Sequence, residues 1–301
     1  MVTSPPPDDP SVPPPLPAHR DPADAWVFAD SGERYWGLYG AAGLLAHDPA
    51  RGVLLQHRAA WSHFGGTWGI PGGARHLGES ALEGALREAE EEAAVPRNAL
   101  VPVAEHTLDL EIWTYTTVVA RVDTPFEPEV ADAESLSLAW VGIDAVTDLP
   151  LHPGLADAWP VLRTLLEARP ALLVDTANVV GSVPDGWWRD RAGSTTALLA
   201  AVADAIASGL PGDPWGIEGG RVMPHVVAVL EGDARSAESA LPVRAVKAER
   251  DGDSEIVAQA SALASEGFAV TVVTSDRGLR ARLPEGVRTV GPSWLRELLP
   301  G

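Results

Sequence analysis

One helical segment, residues 81–95, stands among strand-like runs, and this pattern constrains the fold of the first half of the chain. Ser80 and Glu83 have the spacing of a capping box, and Pro96 stops the helix that they open. The strand-like runs are residues 35–46, 52–58, 100–110, 111–122 and 136–142. Several strands around a single interior helix predict an α/β or α+β sandwich rather than a regular βαβ winding.

The second half of the chain alternates strands with helices. A helix predicted over residues 154–168 ends at Arg169 and Pro170, where we expect the domain boundary. Beyond it, predicted strands at 171–175, 225–231, 268–274 and 287–290 alternate with predicted helices at 195–208 and 254–266. This alternation predicts a parallel sheet covered by helices. The predicted organisation is α/β, with a disordered proline-rich tail over 1–23, a first domain over 24–168 and a second over 169–301.

The charge and composition of the chain limit its partners. The chain carries 42 acidic and 22 basic residues, and residues 1–168 account for −16 of the net charge of −20. Such a surface repels a phosphate backbone unless metal ions intervene, which argues against non-specific duplex binding there. The absence of cysteine excludes a disulfide framework and a thiol nucleophile. No long apolar run or signal pattern is present, so we expect a cytoplasmic protein with no membrane partner.

Three carboxylates share one edge of the predicted helix. On a helical wheel, Glu88, Glu91 and Glu92 lie within an arc of about 100°. Like charges three and four residues apart destabilise a helix by a few tenths of a kcal/mol per pair. A hard divalent cation removes that repulsion, since Mg²⁺ prefers carboxylate oxygens. A solvated acidic face is the alternative, but it explains neither the adjacent glycines at 72–73 nor the position of Glu79.

These residues resemble the Nudix box, G-x5-E-x7-R-E-U-x-E-E-x-G-U. The matching positions are Gly73, Glu79, Arg87, Glu88, Ala89, Glu91, Glu92 and Val95. Ala94 stands where the family usually has glycine, at a position that serves the end of the helix. The resemblance covers residues 34–168 and implies an α/β/α sandwich with a mixed sheet.

The resemblance implies a pyrophosphohydrolase that cleaves a nucleoside diphosphate linked to another moiety, with Mg²⁺ or Mn²⁺ as its cofactor. The residues that it assigns to the metal are Gly73, Glu88, Glu91 and Glu92, and those that it assigns to catalysis are Glu91, Glu92 and Glu134. It assigns structural support to the pair of Glu79 and Arg87. Arg58 and His76 are candidates for substrate contacts, although His76 also fits a plain loop residue.

Acidic residues near predicted strand ends mark the second half of the chain. Asp175 ends one predicted strand, Asp276 follows another, and Asp253 opens a predicted helix. In a parallel sheet, these positions share the edge where ligands gather, and such acids can share Mg²⁺ or Mn²⁺. Taken singly, Asp253 also fits a helix N-cap and Asp276 a turn.

Residues 173–179, 253–256 and 273–279 are similar to the PIN-like nucleases, especially their NYN branch. The resemblance covers residues 170–295 and implies a metal-dependent ribonuclease with a Rossmann-like parallel sheet. Ser254 stands where many relatives carry a second aspartate, so a non-catalytic RNA- or nucleotide-binding module is the alternative. Asn178, Trp187 and Arg189 are candidates for contacts with single-stranded RNA, and packing is the alternative for the tryptophan.

Overall fold

The computed structural model describes residues 21–184, 186–217 and 219–300. These residues form two compact units, the first ending at Leu166 and the second beginning at Glu167. The predicted proline-rich tail lies outside the described residues up to residue 20. Its last three residues enter a turn in which the Asp24 N–H donates to the Asp21 carbonyl, and Ala23 is fully buried with its carbonyl bonded to the Leu38 N–H. No helix in these three ranges is long and apolar enough to cross a membrane.

The first unit contains a mixed sheet. Its elements are β1 (Trp26–Phe28), β2 (Arg34–Trp36), β3 (Ala41–Asp48), β4 (Gly52–Arg58), β5 (Trp68–Gly69), β6 (Gly72–Ala74), α1 (Ala81–Ala93), β7 (Leu100–Asp109), β8 (Thr114–Val122), β9 (Ser135–Val141) and α2 (Pro153–Glu167). Neighbouring strands follow the order β7-β8-β3-β4-β5, while β1 pairs with β2. Strands β3 and β8 are parallel, and β7–β8 and β4–β5 are antiparallel.

Strands β3 and β4 separate soon after the turn that joins them. They pair only at His47 with Val53 and at Asp48 with Gly52. Beyond these pairs, β6 pairs with β3 and β5 pairs with β4, both antiparallel, while β9 pairs along the other edge of β4 from Val53 onward. The segments that precede α1 and follow β8 therefore end beside the separated strands, and the candidate site forms there.

The small apolar face of α1 packs on this sheet. Ala85, Ala89 and Ala93 are fully buried in the core, together with Leu44 of β3 and Leu54 of β4. Alanine side chains let the helix approach the sheet closely, and their burial fixes the rotation of the helix about its axis. The acidic edge is thereby turned toward the opening between β3 and β4.

The second unit contains a parallel sheet. Its elements are β10 (Pro170–Asp175), α3 (Thr176–Gly181), α4 (Arg191–Ala207), β11 (Leu210–Pro211), β12 (Gly220–Val222), β13 (His225–Leu230), β14 (Arg244–Lys247), α5 (Gly252–Ser265), β15 (Ala269–Val273), α6 (Arg277–Arg280), β16 (Arg288–Val290) and α7 (Pro292–Leu298). Five strands follow the order β14-β13-β10-β15-β16, all parallel, and β11 pairs with β12 antiparallel. The chain thus builds outward from β10 on one side and then on the other, which makes the gap between β10 and β15 a topological switch point.

Several predicted boundaries differ from the structure, and three of them have a local cause. The run 35–46 is two strands, because Gly37 and Gly40 adopt φ of +103° and +83° between them. The run 111–122 begins as a strand only at Thr114, because Glu111 adopts φ of +65° in a turn. The N-cap of α5 is Asp251, whose side chain accepts the Ser254 N–H, so the acid at position 253 lies within the first helical turn.

Candidate active site

Helix α1 carries the acidic edge, and both of its ends are fixed. The Ser80 hydroxyl accepts the Glu83 N–H at 3.2 Å, and the Glu83 carboxylate accepts the Ser80 N–H at 2.9 Å, so the predicted capping box is present. At the other end, Ala94 adopts left-handed φ of +51°, and its N–H donates to the carbonyls of Ala89 and Glu90. The three glutamates therefore project from a helix whose limits are set by local sequence.

The three glutamates of the edge have different environments. Glu92 is buried, the Glu88 side chain is 15% exposed and the Glu91 side chain is 59% exposed. Burial raises the pKa of Glu88, and the charge of Glu91 adds to this, although Arg87 opposes both. Burial also raises the pKa of Glu92 well above its usual range. Metal-free protein therefore holds these two carboxylates at an electrostatic cost.

The two glycines before the helix let the carboxylates approach the backbone. A Cβ on Gly73 would lie 2.7 Å from the carboxyl carbon and one oxygen of Glu88. The neighbouring Gly72 N–H donates to Glu92 Oε2 at 3.0 Å. The strand β6 thus lies directly against two of the three glutamates, an approach that a side chain at 73 would prevent.

Arg87 joins the loop before the helix to the acidic edge. Its Nε and Nη2 donate to the two Glu79 carboxylate oxygens at 2.9 and 3.0 Å, and Nη2 also donates to the Ala74 carbonyl. Its Nη1 donates to Glu88 at 2.7 Å and to Glu91 at 3.2 Å. Hydrogen bonding to Arg87 lowers the pKa of Glu79, which keeps this carboxylate ionised. The guanidinium therefore fixes the loop and neutralises part of the edge.

Glu92 belongs to a buried hydrogen-bond network on the other side of the helix. Gln56 Nε2 donates to Glu92 Oε2 at 3.3 Å and to Ser135 Oγ at 2.7 Å. The Ser135 hydroxyl donates in turn to Asp132 Oδ1 at 2.8 Å. Glu92, Asp132 and Glu134 each offer a carboxylate oxygen within 4.8 Å of the other two. Both neighbouring acids raise the pKa of Glu92 further.

The loop before β9 is tied to the end of α1, and this brings the two additional acids into place. The Glu129 N–H donates to the Ala93 carbonyl and the Ala131 N–H to the Glu92 carbonyl, both at 3.1 Å. At its other end, the Glu134 carbonyl accepts the Ala59 N–H at 2.7 Å. The loop therefore satisfies carbonyls that the helix end leaves open while it delivers its acids to the site.

Arg58 lies on the same side as the loop acids. Its Nε donates to the His63 carbonyl at 3.1 Å. Burial raises the pKa of Glu134 and the charge of Arg58 opposes this shift, so the two side chains are electrostatic neighbours. His76 has a different setting, because its N–H donates to Glu79 at 2.8 Å and its Nε2 lies 3.7 Å from Asp21.

In the second unit, the predicted acids follow neighbouring strands at the switch point. Asp175 is buried at the end of β10, where it accepts the Thr274 hydroxyl at 2.8 Å and the Asn178 N–H at 3.0 Å. Burial raises its pKa, and the charges of Asp253 and Glu231 add to the shift. The parallel strands β10 and β13 end beside each other, and the Gly252 N–H donates to Glu231 at 2.8 Å, so Asp175, Glu231 and Asp253 lie at one edge of the sheet.

Asp276 and Asp253 also have structural partners at this edge. Asp276 caps α6 by accepting the Leu279 N–H at 2.8 Å. Burial and the charge of Asp276 raise the pKa of Asp253, which lies 3.5 Å from Arg282. The group of three acids within 4.8 Å found among the described residues is the one in the first unit, so these side chains are more widely spaced.

The three remaining candidates of the second unit lie on or after α3. The Asn178 side-chain oxygen accepts both the N–H and the hydroxyl of Ser275, which joins α3 to the segment after β15. Trp187 contacts the guanidinium of Arg191, whose Cζ lies 4.9 Å from the centroid of the ring. Trp187 and Arg189 share a short 3₁₀ turn.

Sequence reasoning missed Gln56 and Asp132 in the first unit and Glu231 in the second. Gln56 is a polar residue directly after the apolar run at 53–55 of a predicted strand, which is the signal that could have singled it out. Asp132 precedes Glu134 by two residues, and only the docking of the loop on α1 reveals its role. Glu231 follows β13, and its carboxylate accepts the Gly252 N–H at 2.8 Å.

Comparison with known proteins agrees with the geometry of the first unit. The model of the NUDIX domain family matches residues 38–165. "Putative 8-oxo-dGTP diphosphatase 3" of Mycobacterium tuberculosis is 48% identical over 155 residues, which are 48% of this chain and 71% of that protein. A "Nucleoside triphosphate pyrophosphatase/Nudix hydrolase fusion protein" of Bifidobacterium longum is 43% identical over 162 residues, 51% of this chain and 34% of that protein.

Among solved structures, a Nudix hydrolase from M. smegmatis, RenU, is 44% identical and covers 47% of this chain and 94% of its own, with a TM-score of 0.42. The matched family residues include the whole glutamate edge, the loop acids and Arg58. The second unit lies beyond the matched range, which ends at residue 165. The chain therefore belongs to the Nudix family of hydrolases, enzymes that act on phosphoric anhydrides.

Proposed function

We propose that the first unit is a pyrophosphohydrolase that depends on Mg²⁺ or Mn²⁺ and cleaves a nucleoside diphosphate linked to another moiety. The observation that carries the proposal is that carboxylates of helix α1 and of the loop before β9 lie together beside β6. Glu92 of the helix lies next to Asp132 and Glu134 of the loop. Gly73, Glu88, Glu91 and Glu92 are the residues that would hold the cation, as the family resemblance implies.

The residues present fit a hard divalent cation. The donors are the carboxylate oxygens of the glutamates and the backbone of Gly73. Oxygen donors of this kind suit Mg²⁺ and Mn²⁺ rather than a metal that prefers thiolate ligands. Arg87 neutralises part of this edge at Glu88, and a bound cation would remove the remaining electrostatic cost of burying Glu88 and Glu92. Such a cation neutralises phosphate charge and activates water.

The chain's own residues have distinct proposed roles. Glu134 is the candidate base beside Glu91 and Glu92, because burial raises its pKa toward the operating range while the carboxyl stays at the edge of the cluster. Arg58 offers a positive charge near Glu134 and is the candidate contact for a substrate phosphate. Arg87 and Glu79 hold the loop and helix in register.

The substrate that we propose is an oxidised purine nucleoside triphosphate. The support is the 48% identity over 155 residues to a protein named as an 8-oxo-dGTP diphosphatase. The test is hydrolysis of 8-oxo-dGTP, dGTP, nucleotide sugars and dinucleotides by the full chain, followed as formation of the nucleoside monophosphate, with Mg²⁺, with Mn²⁺ and with chelator. We expect turnover of 8-oxo-dGTP in either metal and none in chelator.

A pair of variants on α1 tests the roles of the glutamates. The double change Glu91→Gln with Glu92→Gln is expected to lower kcat/KM by at least about 10²-fold while the fold is retained. Glu90→Gln is the matched control, since Glu90 lies on the same helix but pairs with Arg97 at 2.8 Å. Full activity in the double variant contradicts the proposal.

We propose a second activity for the second unit, metal-dependent cleavage of single-stranded RNA at the switch-point edge. The observation in its favour is the strand order β14-β13-β10-β15-β16, with Asp175 at the end of the central strand. Asp253 and Asp276 would complete a PIN-like site, and Asn178, Trp187 and Arg189 would contact the RNA. The alternative function for this unit is a non-catalytic RNA- or nucleotide-binding module.

Cleavage of a labelled single-stranded RNA by the full chain, with Mn²⁺ and with chelator, distinguishes these functions. A nuclease loses cleavage in Asp175→Asn and in chelator, whereas Asp204→Asn, an exposed change on α4, serves as the control. Binding without cleavage that chelator leaves unchanged favours the binding module. Neither binding nor cleavage of RNA contradicts both.

A further inference from the structure

We propose that Gln56 is a positioning residue that holds Glu92 and Asp132 in the orientation in which they receive a divalent cation. The proposal rests on the proposed function of the first unit and concerns a side chain outside the box. Gln56 lies in β4, where β3 and β4 have separated, and its side chain is fully buried. No part of it reaches solvent, so its role is exerted through the groups that it touches.

The amide of Gln56 connects two carboxylates that come from different parts of the chain. Its Nε2 donates to Glu92 of α1 and to Ser135 of β9, and Ser135 donates onward to Asp132. The order of donors is fixed, because a primary amide nitrogen only donates and an ionised carboxylate only accepts. These hydrogen bonds are therefore all compatible with both carboxylates being ionised, which is the form that binds a cation.

The same hydrogen bonds leave one oxygen of Glu92 for a ligand. The Gly72 N–H and the Gln56 amide both donate to Oε2. Oε1 accepts no hydrogen bond from the described residues. A carboxylate fixed through one oxygen presents the other in a defined direction, and outer partners of this kind orient metal ligands in proteins.

The side-chain oxygen of Gln56 shows that this residue does not give the core its greatest stability. Gln56 Oε1 is buried and has no hydrogen-bond partner among the described residues. A buried oxygen without a partner destabilises a fold, and an apolar side chain of similar shape avoids that penalty. Packing therefore favours methionine at this position, whereas the carboxylates require the amide.

This contrast gives the experiment. In the full chain, Gln56→Met is expected to keep or raise the thermal midpoint in chelator and to weaken Mn²⁺ binding about tenfold, measured by titration calorimetry. The second unit also carries acids, so binding at the first site must be identified separately. It is the part of the heat of Mn²⁺ binding that is lost in Glu92→Gln. Ser135→Ala, which cuts the link to Asp132, is the second variant and is expected to weaken Mn²⁺ binding in the same direction.

Gln259→Met is the matched control, because Gln259 also donates to a glutamate, Glu255 at 2.8 Å, but in α5 of the second unit. Its Mn²⁺ binding at the first site is expected to be unchanged. Folded Gln56→Met and Ser135→Ala proteins that bind Mn²⁺ within twofold of the unmodified chain overturn the positioning role alone. An unmodified chain with no Glu92-dependent Mn²⁺ binding overturns the proposed function as well.

Discussion

At the scale of single residues, Ala94 occupies a backbone conformation that favours glycine. Its φ of +51° ends α1, and its N–H satisfies two carbonyls of the last turn. A left-handed residue with a Cβ costs roughly 1 kcal/mol relative to glycine. The position is structural, since the side chain of Ala94 takes no part in the carboxylate cluster.

Ala94→Gly is therefore expected to stabilise the first unit by about 0.5–1 kcal/mol, a rise of about 1–4 °C in its thermal midpoint. Ala93→Gly, one residue earlier in ordinary helical conformation, is the control and is expected to destabilise, because it removes a fully buried methyl group. Differential scanning calorimetry measures both. A lower midpoint for Ala94→Gly contradicts the account of this helix end.

At the scale of elements, local signals predicted α1 well and the short strands poorly. The capping box and Pro96 bound the helix because they act within a few residues. Strands β5 and β6 have two and three residues, and they exist only because distant strands offer backbone partners. The run 35–46 is interrupted at Gly37 and Gly40, which adopt positive φ values. The pattern of apolar residues does not indicate these values.

In the candidate site too, the residues placed by local sequence were predictable and those placed by distant contacts were not. The edge of Glu88, Glu91 and Glu92 was predictable, because helical periodicity alone places them together. Asp132 was not, because it joins them through a loop that docks by two backbone hydrogen bonds on the end of α1. Gln56 reaches Glu92 only when β4 leaves β3, which is a property of the sheet and not of either segment.

The edge of α1 also makes a prediction about pH. Burial raises the pKa of Glu92, so between its usual value of 4.5 and the raised value the folded chain holds a proton that the unfolded chain has lost. Stability from this group therefore falls as pH rises through that window. Glu79 has a lowered pKa, and its stabilisation is lost only as pH falls below about 4.5.

Glu92→Gln isolates this contribution. In chelator, the thermal midpoint of the variant relative to the unmodified chain is expected to rise between pH 5.5 and pH 7.5. The difference between the two proteins cancels the contribution of the histidines, whose lowered pKa values give the opposite slope: His47, His63, His106, His152 and His225. Glu90→Gln is the control, and a relative midpoint that stays flat or falls for Glu92→Gln contradicts the electrostatic account.

At the scale of the whole molecule, the two units differ in charge far more than in size. Residues 1–166 carry −15 and residues 167–301 carry −5. Self-repulsion of this kind destabilises a compact state and is screened by salt, with a Debye length of about 10 Å at 0.1 M. The carboxylates around Glu92 form the part of this charge that is held most closely together.

Hydrogen exchange measures the stability of each unit separately in the full chain. Raising NaCl from about 0.02 M to about 0.2 M is expected to slow exchange in β3 of the first unit more than in β10 of the second. MgCl₂ at the same ionic strength is expected to slow exchange in β3 further, because a bound cation adds to general screening. Glu92→Gln should lose that extra protection but keep the response to NaCl. Equal protection by the two salts in the unmodified chain would show that its negative charge is only screened, and that the cluster has no cation site.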